Sequence, residues 1–270
     1  MWDWNVEESY FGLSRANRGN LVGSLRLGLM AGVAAMEANA QAMFNTTASE
    51  GLMSLGQGLG QNLVGVPGNS SLVNASAPNS ITKTIMRGVP FSAYVVWRAC
   101  NAVLDDDCLV NDVFPLLRGA IATYNKVSFT DDVTGLLHLG DVGWESSTEP
   151  KGQPEVDNTW NLALWSWSCR VFLDLFPAVY SNNRGSSSSN ASASKFVTVD
   201  KALNAVCKHV QDHLAPLPTN KSTGALIIAK LPNGSGVPWN KQNQMGVELG
   251  FPIWPVEIPS LSDRESAREH

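Results

Sequence analysis

Apolar residues recur at helical spacing through much of the chain. Leu21, Leu25, Leu29, Val33 and Met36 step by four and three, which draws one stripe along a helix. Ser92 to Leu104 predicts a second helix. Asn111-Asp112 reads as the cap of a third, running through Phe114, Leu117, Ile121 and Tyr124, with Pro115 tolerated in its first turn. Leu162 to Phe176 predicts a fourth, apolar nearly all round, as expected of a helix buried on most sides. Thr198 reads as the cap of a fifth, whose inner face carries Leu203, Val206, Val210 and Leu214. Pro216 and Pro218 end it. Strand signals are few; the short apolar run Ala225 to Ala229 is one.

Long polar stretches separate these helices. Residues 45–84 are rich in Gly, Ser and Asn, and 181–194 include the run Ser186 to Ser189. Both read as loop insertions within one domain spanning 1–270. A compact four-helix bundle joins its helices through about 2–8 residues, so loops this long disfavour it. They suit a helical barrel or solenoid whose loops build a functional face. No internal repeat supports a regular solenoid. The expected fold is therefore all-α and barrel-like.

Charge narrows the partners. The net charge is −5 and the pI about 5.4, with no Lys/Arg cluster, so a nucleic-acid footprint is not expected. Leu21 to Ala35 is the longest apolar run, and Gly23, Arg26, Gly28 and Gly32 interrupt it; no membrane span is predicted. Only 16% of residues are charged while nine are Trp. Indole rings serve either as core or as flat platforms against a ligand such as a sugar.

Six N-x-Ser/Thr sequons, at Asn45, Asn69, Asn74, Asn190, Asn220 and Asn233, lie mostly in polar stretches that can carry glycans. They point to an extracellular or secretory setting, although Met1-Trp2-Asp3-Trp4 does not read as a signal peptide. Cys100, Cys108, Cys169 and Cys207 suffice for two disulfides, and their spacing fixes no connectivity. Cys100 and Cys108 bracket the acidic loop Asp105-Asp106-Asp107, which they either staple or flank as free thiols.

Familiar catalytic patterns are missing: no G-x-S-x-G elbow, G-x-G-x-x-G or P-loop occurs. His209 and His213 stand one helical turn apart, but no third metal ligand is near. The pair reads as a solvated helix face. No metal or other cofactor is expected.

Three ordered segments carry a family resemblance. The first is Trp2-Asp3-Trp4-Asn5-Val6-Glu7-Glu8-Ser9-Tyr10-Phe11 with Ala16-Asn17-Arg18. The second is Val113-Phe114-Pro115-Leu116-Leu117-Arg118-Gly119-Ala120, ahead of Leu136 to Glu149. The third is Asp157-Asn158-Thr159-Trp160-Asn161-Leu162-Ala163-Leu164. In this order they resemble the catalytic domain of glycoside hydrolase family 95, the inverting α-L-fucosidases and their relatives.

The resemblance implies an (α/α)6 barrel of the six-hairpin glycosidase kind, and a chain that covers only part of it. It places Glu149 at the general acid's position, with Thr148 where the family has Pro. Asn5 matches the second Asn of the family's first motif, and Asp3 stands where the first Asn would be. Asp157 and Asn161 match the start of the helix after the acid loop. The family's general base lies near a glycine motif that has no counterpart here.

Inverting hydrolysis places a protonated carboxyl and a water-activating carboxylate about 6.5–9.5 Å apart on opposite ring faces. Glu149 is the expected acid, with Trp144 as an apolar wall and Glu145 as a like charge raising its pKa. Asn5 and Asp3 share one face of an extended segment, where the Asn5 amide would orient the water or the base and the Asp3 carboxylate would itself serve as a base. Trp4, Trp144, Glu145, His138, Asp157 and Trp160 are the expected substrate contacts, for an oligosaccharide or polysaccharide with a terminal α-L-fucosyl or related sugar. The alternative is a non-catalytic carbohydrate-binding or structural helical fragment that lacks the base.

Overall fold

The computed structural model describes residues 18–44, 51–55, 84–85, 87–140, 156–180, 191–224, 226–227, 229–230 and 236–237, with Tyr10 and Leu13. They are mostly helical, as the apolar spacing predicts. A 3-10 turn, Gly19–Val22, leads into α1 (Gly23–Phe44). Leu25, Leu29 and Met36 are buried as expected. Leu21 falls on the tighter turn and is 52% exposed, and Val22 takes its place in the core. Three residues per turn instead of 3.6 shift the phase of the stripe there.

Helix α2 (Gly88–Ala102) is buried from Gly88 through Trp97. A disulfide between Cys100 and Cys108 staples its end to the next turn. Asp105 accepts a hydrogen bond from the Cys108 N–H at 2.9 Å, which caps that turn. Asn111-Asp112 does not cap α3 (Phe114–Val127). Both residues lie inside a π-helical turn, Leu109–Val113, that runs straight into Phe114. The backbone there is already helical, so the cap moves upstream to Asp105. Asp112 instead pairs with Arg26 of α1 at 2.5 Å.

Helix α4 (Thr159–Tyr180) is buried on most sides, as its sequence requires. Helix α5 (Ala191–His213) starts upstream of Thr198, which is exposed within the helix rather than its cap. Residues 191–194 therefore leave the expected 181–194 insertion and join the helix. Helix α4 packs against both α3 and α5, and α3 against α2.

Among the described residues, three short antiparallel strand pairs accompany the helices. Strands β1 (Ser54–Leu55) and β2 (Thr84–Ile85) pair Ser54 with Ile85 and Leu55 with Thr84, so the ends of the 55–84 stretch meet. Strands β3 (Ser128–Thr130) and β4 (Leu137–Leu139) pair Phe129 with His138. Strands β5 (Ala229–Lys230) and β6 (Gly236–Val237) form the third. The strand expected over 225–229 becomes an isolated bridge from Leu226 to Thr219, with β5 beginning at Ala229.

Aromatic rings fill the core. Trp160 meets Phe91 edge-on at 5.6 Å, Tyr94 meets Trp167 at 5.0 Å, and Phe114 stacks on Phe172 at 4.5 Å. Trp97, Trp160, Trp165 and Trp167 are all at most 3% exposed. These four indole rings serve as core and not as platforms. Residues 51–53 cross α3 where it has no side chain: Leu52 donates its N–H to the Gly119 carbonyl at 3.0 Å. A Cβ on Gly119 would sit 2.1 Å from Leu52 Cγ.

By length and apolar composition, Gly19–Gln41 and Thr159–Tyr180 would both suffice to cross a membrane. The glycines and Arg26 that interrupt the first do not lower its mean hydropathy enough to exclude it. The core helix of a soluble protein meets the same measure, and α4 is buried over much of its length.

Candidate functional site

Among the described residues, Asp157 is the centre of a densely connected polar group. It is fully buried, one residue ahead of the cap of α4. Its backbone has φ +56°, a left-handed conformation that costs a non-glycine residue energy and that Asp tolerates better than most. Asn158 follows and accepts hydrogen bonds from the N–H groups of Trp160 and Asn161 at 3.1 and 3.3 Å. The left-handed turn lets Asn158 cap the helix while the Asp157 carboxylate points back to the β3–β4 hairpin.

Three donors surround that carboxylate. The Leu139 N–H donates to Oδ1 at 3.2 Å. His138 Nδ1 lies 2.7 Å from Oδ2, and Lys230 Nζ donates to the same oxygen at 2.8 Å. A carboxylate only accepts, so Nδ1 carries the proton in the His138 contact, which leaves Nε2 for another partner. The His138 ring stacks on Phe129, its cross-strand neighbour, with centroids 5.5 Å apart. Backbone bonds close the junction: Asp157 N–H to the Leu139 carbonyl at 3.0 Å, and Val156 and Lys230 to each other, both at 2.8 Å.

The same turn is fixed from below. Thr159 donates its hydroxyl to the Ile227 carbonyl at 2.6 Å. The Tyr124 hydroxyl donates to Asn161 Oδ1 at 2.8 Å, tying α3 to the first turn of α4. Asn161 is fully buried.

His138 and Asp157 were expected separately as substrate contacts, and the fold brings them into direct contact. Trp160, expected beside them, is 3% exposed and packs between Phe91 and the Arg87 guanidinium, 4.4 Å above its ring. Here it serves as core. Asp3, Trp4, Asn5, Trp144, Glu145 and Glu149 lie outside the described residues. The chain between Gly140 and Val156, which bears Trp144, Glu145 and Glu149, starts and finishes at the His138–Asp157 junction.

Sequence reasoning missed Lys230. It is a lone charge at the end of an apolar run, 73 residues from its partner, and nothing local marks it. A second polar group was missed as well. Asp200 of α5 is fully buried and accepts from Arg118 Nε at 2.6 Å and Nη2 at 3.1 Å, a forked pair, and also from the Tyr180 hydroxyl. Arg118 lies 4.0 Å over the Phe196 ring. Burial, and then the bond to Asp200, push the Tyr180 phenol well above its ordinary value. Arg118 belongs to the second segment of the family resemblance, but its role in the fold is to join α3, α4 and α5.

Cys100, Asp105 and Cys108 bring three potential metal-ligand atoms within 4.8 Å of one another. The two sulfurs are bonded to each other and so offer no thiolate. His209 and His213 stack at 4.4 Å on an exposed face of α5.

No family model, no curated protein and no solved structure matches the chain.

Proposed function

We propose that this chain is part of a helical glycosidase, an inverting hydrolase of terminal α-L-fucosyl or related residues, in which Glu149 is the general acid. The observation that carries the reading is the clamp at the root of the Glu149 segment. His138 and Asp157 hold the two ends of that segment together at 2.7 Å, beside the capped start of α4. A general acid works only if its loop is held steady against the helices that bind substrate. A strained Asp157 backbone secured by three donors fits that purpose. The helices α2 to α5 would form consecutive parts of an (α/α)6 barrel, with the substrate an oligosaccharide bound on the loop face. Sequons and the Cys100–Cys108 staple favour a secretory setting.

The test uses the full chain against a panel of fucosylated and galactosylated oligosaccharides, with released sugar measured directly. Glu149→Gln abolishes release while Glu145→Gln retains it. Unchanged turnover in Glu149→Gln removes that residue from the role.

A second reading is a non-catalytic carbohydrate-binding or structural domain, and the burial of Trp97, Trp160, Trp165 and Trp167 as core favours its structural form. Calorimetric binding of a glycan with no released product selects it.

A further inference from the structure

Helices α4 and α5 each carry one buried cysteine, and neither takes part in the Asp157 or Asp200 groups. Cys169 and Cys207 are both fully buried, and in the structure both are free thiols. They face each other across the α4–α5 contact, with their side chains in hydrogen-bonding reach. The same chain already holds a disulfide between Cys100 and Cys108. An environment that oxidises Cys100 and Cys108 can also oxidise a second neighbouring pair for as long as that pair is accessible.

We propose that Cys169 and Cys207 form a second disulfide, which bonds α4 to α5 and closes the chain around the serine-rich segment 181–190. This fixes a connectivity that cysteine spacing leaves open. Of the three ways to pair four cysteines, the fold allows one. The step is a thiol–disulfide exchange. One cysteine, as thiolate, attacks the disulfide of a carrier oxidoreductase or of oxidised glutathione and forms a mixed disulfide. The other cysteine then displaces the carrier's sulfur. The two thiols give up two protons and two electrons, and the carrier's disulfide is reduced to two thiols.

Burial dictates the timing. Loss of water around Cys169, with Cys207 as its neighbour, raises its pKa well above the ordinary thiol value. Folded, reduced Cys169 therefore offers little thiolate, and burial denies both residues access to a carrier. The bond forms while α4 and α5 are still coming together, and once formed it is shielded from reductants.

The full chain, exported through an oxidising compartment, is unfolded without reductant in the presence of an alkylating reagent and then mapped by mass spectrometry. The expected result is no alkylated cysteine, with the Cys169 and Cys207 peptides linked to each other. Alkylation of both residues overturns the proposal, as does linkage of either to Cys100 or Cys108. Urea unfolding supplies a second reading. Reductant lowers the wild-type midpoint more than that of the C169A/C207A double variant, which keeps only Cys100–Cys108. An equal loss in both proteins also overturns it.

Discussion

Leu139 and Asp157 exchange two hydrogen bonds across the root of a loop: the Leu139 N–H to the Asp157 carboxylate at 3.2 Å, and the Asp157 N–H to the Leu139 carbonyl at 3.0 Å. One residue ends a strand and the other turns the chain into a helix. The exchange holds both ends of the segment carrying Glu149 at a fixed separation. His138 and Lys230 then reinforce the Asp157 side of the junction.

Removing the Asp157 carboxylate therefore strands His138, Lys230 and the Leu139 N–H at once. Breaking a buried charge pair by deleting one partner costs about 3–5 kcal/mol. Lys230 is 37% exposed at its side chain, so water compensates part of its loss and the lower end applies. Asp157→Ala is expected to lower the urea midpoint substantially, and Lys230→Met far less. Proteolysis within 141–155 accelerates in Asp157→Ala under native conditions. Equal midpoints for wild type and Asp157→Ala would dismiss the clamp.

The crossing of Leu52 over Gly119 gives a second expectation. A methyl group on Gly119 meets Leu52 Cβ, Cγ and Cδ1, all within 2.7 Å. The Leu52 backbone is also held in place, by the Gly119 carbonyl and by the Thr123 hydroxyl at 3.0 Å. The side chain has little room to retreat. Gly119→Ala is expected to cost about 1–3 kcal/mol, the usual scale of overpacking, despite the better helix propensity of Ala. In a Leu52→Ala background the added methyl costs much less. Denaturation of the four proteins of this cycle measures the coupling, and strict additivity contradicts the close contact.

Tyr180 makes stability depend on pH on the alkaline side. Its folded pKa is raised by burial and by the bond to Asp200. An unfolded tyrosine ionises near pH 10. Below that value both states are protonated and the contribution is complete. As pH climbs past it, the unfolded state loses its proton first, so stability falls. Thermal melts from pH 8 upward are expected to show a decline that Tyr180→Phe flattens. An identical decline in the variant assigns the effect to other groups.

The Arg118–Asp200 pair shows how little of a tertiary contact its sequence announces. The two residues are 82 positions apart. Asp200 lies mid-helix among ordinary neighbours, and Thr198 reads locally as a better landmark, a cap. Whether a helix begins at Thr198 or upstream depends on what its earlier residues pack against, and no local pattern contains that. Asn111-Asp112 misleads in the same way: residues with capping chemistry became part of a continuous turn because Asp105, held next to the disulfide, had already capped it.

The sequence by itself determined the helices, since an apolar stripe at a period of 3.6 is a local property that any solvent-facing helix must obey. It also determined which residues bracket the acidic loop Asp105-Asp106-Asp107, and that the Trp-rich stretch of α4 would be buried. Only the tertiary structure decided that His138, Asp157 and Lys230 share one carboxylate, and that Cys169 faces Cys207. These contacts join residues 19 to 73 positions apart or on separate helices. Their geometry comes from how whole helices and hairpins pack, which fixes the ends of a loop before any side chain on it can act.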